Sequence, residues 1–160
     1  METEYLQIID KIISNRKFKK LVNERHHHNS NRYQHLIDVS YKTYKVCKKL
    51  GLDYVSATRA AVLHDFYFDN DFTKNRTKMV KHYKVALKNA SKLCNLSPLE
   101  ENIIASHMFP VGGKLPKYKE SVVVNAIDDV ISIKERVQGD VKKFRYAIKL
   151  GFFLLIGLLR

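Results

Sequence analysis

Apolar residues recur three or four positions apart along most of the chain, which is the spacing of one buried face of an α-helix. Residues 1–22 show this spacing from Leu6 to Phe18, and they are predicted to form an opening helix. The same pattern predicts further helices over residues 32–50, 54–66 and 80–94, from Ser97 onward, over residues 120–133, and in one or two segments at the end of the chain. Strand alternation is scarce, so the sequence predicts an all-α fold.

Capping and turn-forming residues mark the ends of these segments. Gly51 follows the second helix as a C-terminal cap, and residues 97–100 supply an N-cap serine, a first-turn proline and a capping-box glutamate. Residues 67–78 and 108–119 lack helical periodicity, so we expect a polar connection or lid in the first segment and a loop in the second. Since no internal repeat or separate linker interrupts the pattern, residues 1–160 are predicted to form a single helical domain.

Size and charge restrict the function class. With 160 residues, 45% of them apolar, the chain can bury one core, and its six glycines and three prolines argue against a collagenous or disordered protein. Lysine and arginine number 29 against 16 aspartates and glutamates, which leaves a formal net charge of +13. This excess favours an anionic partner, and composition leaves open whether that partner is nucleic acid, anionic lipid or a phosphorylated small molecule.

The cysteines and the chain ends bear on the compartment. Cys47 and Cys94 lie far apart and outside any C-x-x-C spacing, which argues against a disulfide framework and a zinc ribbon. The acidic start lacks the features of a secretory signal, so we expect a cytoplasmic protein. Residues 150–159 form an uncharged run about half as long as the roughly 20 residues that span a bilayer. A final helix docked on the core is the favoured interpretation, with membrane contact or an oligomer interface as alternatives.

Four of the seven histidines fall on the predicted inward faces of different helices. They are His35, His64, His82 and His107. A single histidine on an apolar face is usually a hydrogen-bonded core residue. Four imidazoles from separate helices are instead typical of a divalent transition-metal site in a helical bundle.

Two aspartates complete a candidate ligand set. Asp65 directly follows His64, and Asp128 lies in an otherwise apolar helical segment. Because an ionised carboxylate buried without a partner costs several kcal/mol or more, a metal cation explains both positions. Asp129 points about 100° away from Asp128 around the helix and suits a surface position.

The order His35, His64–Asp65, Asp128 resembles the H…HD…D signature of the HD superfamily of metal-dependent phosphohydrolases, which are all-helical. The resemblance extends from about residue 26 to residue 133. The two further histidines between the doublet and the last aspartate make the chain similar to small bacterial HD hydrolases. The expected architecture is therefore a single-domain helical bundle of the HD type.

The resemblance also implies a metal centre and a reaction. It implies a first metal held by His35, His64, Asp65 and Asp128 and a second held by His82 and His107, with Asp65 bridging the two. The cofactors would be one or two divalent transition metal ions, of Mn, Fe, Zn, Ni or Co. The reaction would be hydrolysis of a phosphate ester or anhydride by metal-activated water, with Asp65 and His64 assigned to catalysis. The favoured substrate is a nucleotide.

An anionic substrate also needs contacts with cationic or hydrogen-bonding groups. The candidates lie near the predicted rim of the site, and they are Arg32, Arg59, Lys114, Lys117, His27 and His28. Basic side chains of this kind bind phosphate, although each position also suits ordinary solvated surface.

Two other functions stay open from the sequence. Some HD-fold relatives hold a mixed-valent di-iron pair in such a six-ligand set and use it for oxygenation. The other alternative is a non-catalytic module that binds nucleic acid or membrane through a basic stripe on the second helix, formed by Lys42, Lys45, Lys48 and Lys49.

Overall fold

The computed structural model describes residues 2–26, 30–72 and 75–137, with the backbone but not the side chains of residues 75–80. The helices in this part of the chain are α1 (Thr3–Ile13), α2 (Arg16–Lys19), α3 (Arg32–Lys49), α4 (Tyr54–Leu63), α5 (Asn75–Leu93), α6 (Pro98–Ser106) and α7 (119–137). Short 3-10 turns cover Lys20–Asn23 and Asp69–Asp71. The described ranges contain no strand, and the predicted all-α fold is confirmed.

The opening segment forms two helices, not the single helix predicted over residues 1–22. Beyond the end of α1, the side-chain oxygen of Asn15 accepts hydrogen bonds from the backbone N–H groups of Lys17 at 2.8 Å and Phe18 at 3.3 Å. An asparagine N-cap satisfies N–H groups that a new helix start leaves without partners. Ile9 and Phe18 still both reach the core, because the apolar spacing continues across the break.

Helix ends predicted from capping residues agree with the structure. Gly51 has a φ of +66° after α3, and the Leu52 N–H donates to the Cys47 carbonyl at 3.0 Å, as in a Schellman motif. At the start of α6, the Ser97 hydroxyl accepts from the Glu100 N–H at 3.2 Å, and the Glu100 carboxylate accepts from the Ser97 N–H at 2.7 Å. This reciprocal pair is the predicted capping box.

Helix α4 lies at the centre of the fold and contacts α1, α3, α5 and α6. Its buried face is rich in alanine, so neighbouring helices can approach closely. The helix ends at Leu63, not at Phe66 as predicted, so the chain leaves the helix in the middle of the core. The His64–Asp65 doublet occupies this position, and both of its residues are buried.

None of the described helices is both long enough and apolar enough to cross a membrane. Helices α3 and α5, with 18 and 19 residues, both carry several lysines. The uncharged run at residues 150–159, predicted to dock on the core, lies outside the described residues.

Candidate metal centre

Six residues, each at most 7% exposed, converge beside the C-terminal end of α4. They are His35 on α3, His64 and Asp65 after α4, His82 on α5, His107 after α6 and Asp128 on α7. The structure therefore brings together all six residues that the HD resemblance assigns to metal. His64 and His107 lie directly after the last residues of their helices, so the prediction that places them on helix faces is wrong in this detail.

These two C-terminal positions fix the orientation of the imidazole rings. The Nδ1–H of His64 donates to the Ala61 carbonyl at 2.7 Å, and that of His107 donates to the Ile104 carbonyl at 2.8 Å. Both carbonyls belong to the last turn of a helix, where the backbone lacks its own N–H partners. With the proton on Nδ1, a neutral ring presents the lone pair of Nε2, which is the tautomer that binds a metal.

One group of donor atoms joins α3, α4 and α7. The Asp128 Oδ1 lies 3.0 Å from the Nε2 of His35 and 3.5 Å from the Nε2 of His64. Within this trio, one donor atom from each residue lies within 4.8 Å of the others. Two imidazole nitrogens and one carboxylate oxygen at this separation can coordinate a single cation.

A second group forms around Asp65. Its Oδ1 lies 3.2 Å from the Nε2 of His82 and 3.2 Å from the Nε2 of His107, and these two nitrogens are 2.8 Å apart. Asp65 also forms a trio with His64 and His107 whose donor atoms lie within 4.8 Å of one another. Two nitrogens this close repel each other unless a proton or a cation lies between them. Because His64 also belongs to the group with His35 and Asp128, Asp65 lies next to both groups.

Several buried donor atoms of the cluster lack hydrogen bonds, which bears on whether these residues fit a metal. The Nε2 atoms of His35 and His64 and the Oδ1 of Asp65 are inaccessible to water, yet none makes a hydrogen bond of normal angle. The polar atoms nearest to them belong to the same cluster, at 3.0 to 3.5 Å, as expected of atoms that share a ligand. Since a buried polar atom without a partner is costly, the donor set fits a divalent transition metal.

Electrostatics show how strongly the cluster attracts positive charge. Burial alone raises the pKa of a carboxyl group, but the adjacent His64 and His35 outweigh it and hold the pKa of Asp128 well below its ordinary value. Histidines around Asp65 overcome its burial in the same way and lower its pKa. Burial alone lowers the pKa of His35, but the carboxylates of Asp128 and Glu135 raise it to about 10. Protons therefore compete with a metal cation for this cluster.

A match to a family model shows which protein family the chain belongs to. The model of the HD domain family matches residues 32–132, which include all six clustered residues. The chain belongs to the HD domain family. Members of this family form a superfamily of metal-dependent phosphohydrolases, and the predicted resemblance is confirmed. No curated protein and no solved structure matches the chain.

Two residues outside the matched range also reach the cluster of this HD domain. The Glu135 carboxylate lies 3.2 Å from the Nδ1 of His35, and the His26 ring packs at a tilt against the His35 ring with centroids 4.0 Å apart. Glu135 is not among the site residues predicted from the sequence. Its position seven residues after Asp128, about two helical turns further along the same face, is the signal in the sequence that indicates a place near the cluster.

The arginines predicted to contact substrate are engaged elsewhere in the HD domain. Arg32 is only 1% exposed, and its guanidinium contacts Glu24 at 3.2 Å and Asp69 at 2.9 Å. Because it is buried, Arg32 does not lie on an exposed rim. Two carboxylates neutralise its charge. Arg59 is half-buried, and its Nε lies 3.2 Å from the buried carboxylate of Glu100.

The other predicted substrate contacts lie apart from the cluster or outside the described residues. Lys114 and Lys117 line a cavity of about 240 Å³ together with Ala105 of α6. Ala105 and His107 are two residues apart, about 200° around the helix, so the lysines and the metal cluster lie on opposite sides of α6. His27 and His28 lie outside the described residues.

The basic stripe of the second helix lies on the solvent side of α3. Lys42, Lys45, Lys48 and Lys49 are all exposed. Lys48 forms an ion pair with Glu4, and Lys45 lies over the Tyr41 ring at 5.5 Å. Exposed pairs of this kind are typical of an ordinary charged surface.

Proposed function

We propose that this HD domain protein is a metal-dependent phosphohydrolase that hydrolyses a phosphate ester or anhydride, with a nucleotide as the favoured substrate. The observation that carries the proposal is the convergence of four imidazoles and two carboxylates, three of whose buried donor atoms lack a hydrogen bond. Imidazole and carboxylate together suit divalent transition metals. The net charge of +13 supports an anionic substrate.

The described side chains divide into two ligand groups. His35, His64 and Asp128 would hold one cation, and His82 and His107 the other, with Asp65 available to both groups, in agreement with their contacts. Bound divalent cations supply Lewis-acid activation of water and of a phosphoryl group. The Nδ1 hydrogen bonds of His64 and His107 keep these two rings oriented before any ligand arrives, so little reorganisation of them accompanies binding.

The charge of the cluster explains why metal must precede an anionic substrate. Asp65 and Asp128, both ionised, place two negative charges in a buried site whose imidazoles are neutral when they bind metal. One divalent cation cancels these charges, and a second leaves a surplus of two positive charges. A phosphate ester is therefore attracted by the doubly loaded cluster, whereas in the metal-free cluster a proton on His35 offsets only part of the carboxylate charge. We expect two cations per chain in the active protein.

Phosphate release by metal-reconstituted protein tests the proposal. The protein is stripped with a chelator, reloaded with Mn²⁺ or another divalent transition metal, and assayed on nucleotides, phosphomonoesters and cyclic dinucleotides. His64→Ala and Asp65→Asn remove one ligand each, and we expect kcat/KM to fall about 1000-fold or more, equivalent to about 4 kcal/mol of transition-state stabilisation. Glu101→Gln changes an exposed carboxylate on α6 and should keep full activity.

The outcomes separate the candidate functions. If the reloaded wild type releases no phosphate from any substrate and behaves like His64→Ala, the proposal is wrong. Dioxygen consumption by iron-loaded protein would identify the oxygenase alternative instead. Salt-dependent binding to DNA by fully metal-loaded protein that shows no turnover would identify the non-catalytic basic module.

A further inference from the structure

Glu135 contacts the metal cluster from outside the range that the family model matches. Its side chain is 11% exposed, and its two carboxylate oxygens lie 3.3 and 3.2 Å from the Nδ1 of His35. Since an ionised carboxylate only accepts hydrogen bonds, the Nδ1–H of His35 donates to it. The proton on Nδ1 leaves the lone pair of Nε2 available to a metal, on the side of the ring where Asp128 Oδ1 lies 3.0 Å away.

Helix α7 thus contacts both nitrogens of the His35 ring. Asp128 faces Nε2 and Glu135 faces Nδ1, and the seven residues between them correspond to about 10.5 Å along one helix face. The His26 ring packs at a tilt against the same imidazole, and its Nε2 lies 3.9 Å from the Glu135 carboxylate. These contacts leave the His35 ring little freedom to rotate or flip.

The partner of His35 differs in kind from the partners of the other two histidines. His64 and His107 donate their Nδ1–H to neutral backbone carbonyls, whereas His35 donates to a charged side chain. A carboxylate partner increases the basicity of the imidazole and strengthens the nitrogen on its opposite side as a ligand. A carboxylate can also be replaced by mutation, which a backbone carbonyl cannot.

We propose that Glu135 is a positioning residue of the metal centre, which holds His35 in the Nδ1–H tautomer and strengthens its Nε2 as a metal ligand. This inference rests on the metal centre of the proposed function but not on hydrolysis. It gives α7 two separate tasks, because Asp128 is a ligand and Glu135 acts only through His35. It also extends the centre beyond residue 132, where the family match ends.

Binding of Co²⁺ to chelator-stripped protein tests the inference without any activity assay. Co²⁺ affinity is measured by competition with a chromophoric chelator for wild type, Glu135→Gln and Glu135→Ala. We expect Glu135→Ala to bind about 10- to 100-fold more weakly, which is the usual cost of removing such a partner. Glu135→Gln keeps an oxygen that accepts the Nδ1–H but loses the charge, so its affinity should lie between the two. Glu101→Gln removes an exposed carboxylate elsewhere and should bind like wild type.

A nuclear magnetic resonance measurement on the zinc-loaded protein reports the tautomer directly. Long-range ¹⁵N–¹H correlations should show a slowly exchanging Nδ1–H on His35 in wild type and in Glu135→Gln, and faster exchange in Glu135→Ala. If Glu135→Ala binds Co²⁺ with wild-type affinity and merely melts at a lower temperature, Glu135 is structural and the inference is wrong. If the wild type takes up no Co²⁺ at all, the metal centre itself is refuted, and both proposals fall together.

Discussion

Replacing Gly113 by alanine tests how the connection after α6 is held beside the metal cluster. Gly113 has a φ of +78°, and a Cβ added there would lie 2.5 Å from the Ala105 carbonyl oxygen and 3.6 Å from the Ser106 Cα. The same carbonyl accepts a hydrogen bond from the Lys114 N–H at 2.7 Å. Because the atoms nearest to the added methyl group belong to the backbone, no side-chain rotation relieves the overlap, and the connection must move.

Gly51→Ala is the matched control for this substitution. Gly51 has a similar φ of +66°, but no atom lies within 4 Å of an added Cβ. The left-handed conformation alone costs alanine about 1 kcal/mol. In Gly113→Ala, the lost Lys114 hydrogen bond adds about 1 kcal/mol, and displaced packing adds about 1 to 2 kcal/mol. We expect a loss of unfolding free energy of about 1 kcal/mol for Gly51→Ala and about 3 to 4 kcal/mol for Gly113→Ala.

Urea unfolding of the two variants measures these losses, and thermal unfolding should show a fall in Tm of roughly 3 °C for Gly51→Ala against roughly 10 °C for Gly113→Ala. Because Ala105 and Ser106 directly precede His107, Gly113→Ala should also weaken Co²⁺ binding, whereas Gly51→Ala should not. Equal losses of stability in the two variants would refute the reasoning, since the close approach to α6 would then have no energetic consequence.

The remaining predictions concern buried groups. Arg32→Leu leaves the carboxylates of Glu24 and Asp69 without their shared cation, and we expect a loss of about 3 kcal/mol in urea unfolding; a loss below about 1 kcal/mol would contradict the assigned ion pairs. Burial raises the pKa of the Cys47 thiol to about 11, so its thiolate is scarce at pH 8 and increases only as pH approaches that value. Cys94→Ser should therefore abolish rapid labelling by a thiol reagent at pH 8, whereas Cys47→Ser should leave it intact.

The helices of this protein are largely predictable because their signals are local. The capping box that starts at Ser97 and the glycine cap at Gly51 are each satisfied within a few residues of chain. The break before Asn15 is not predictable in the same way. Apolar spacing runs through it from Ile9 to Phe18, and an asparagine fits an exposed helical position as well as an N-cap.

The candidate site is predictable in its residue types but not in its full extent. The HD signature identifies the six residues that the structure brings together, yet Glu135 lies 100 positions from His35 and shares no local pattern with it. For Arg32, the sequence shows the residue type but not the partners. A lone arginine in a sequence carries no mark of its partners, and only folding reveals that Glu24 and Asp69 enclose it.

The sequence by itself determined which segments become helices and which side chains carry metal-binding chemistry, because periodicity, capping and residue type act over a few neighbouring positions. Only the tertiary structure decided which donor atoms meet, which nitrogen of His35, His64 and His107 holds the proton, and which charges are neutralised before a ligand arrives. Those properties depend on distances of about 3 Å between groups on different helices. Such distances are set by the packing of α3, α6 and α7 around the point where α4 ends.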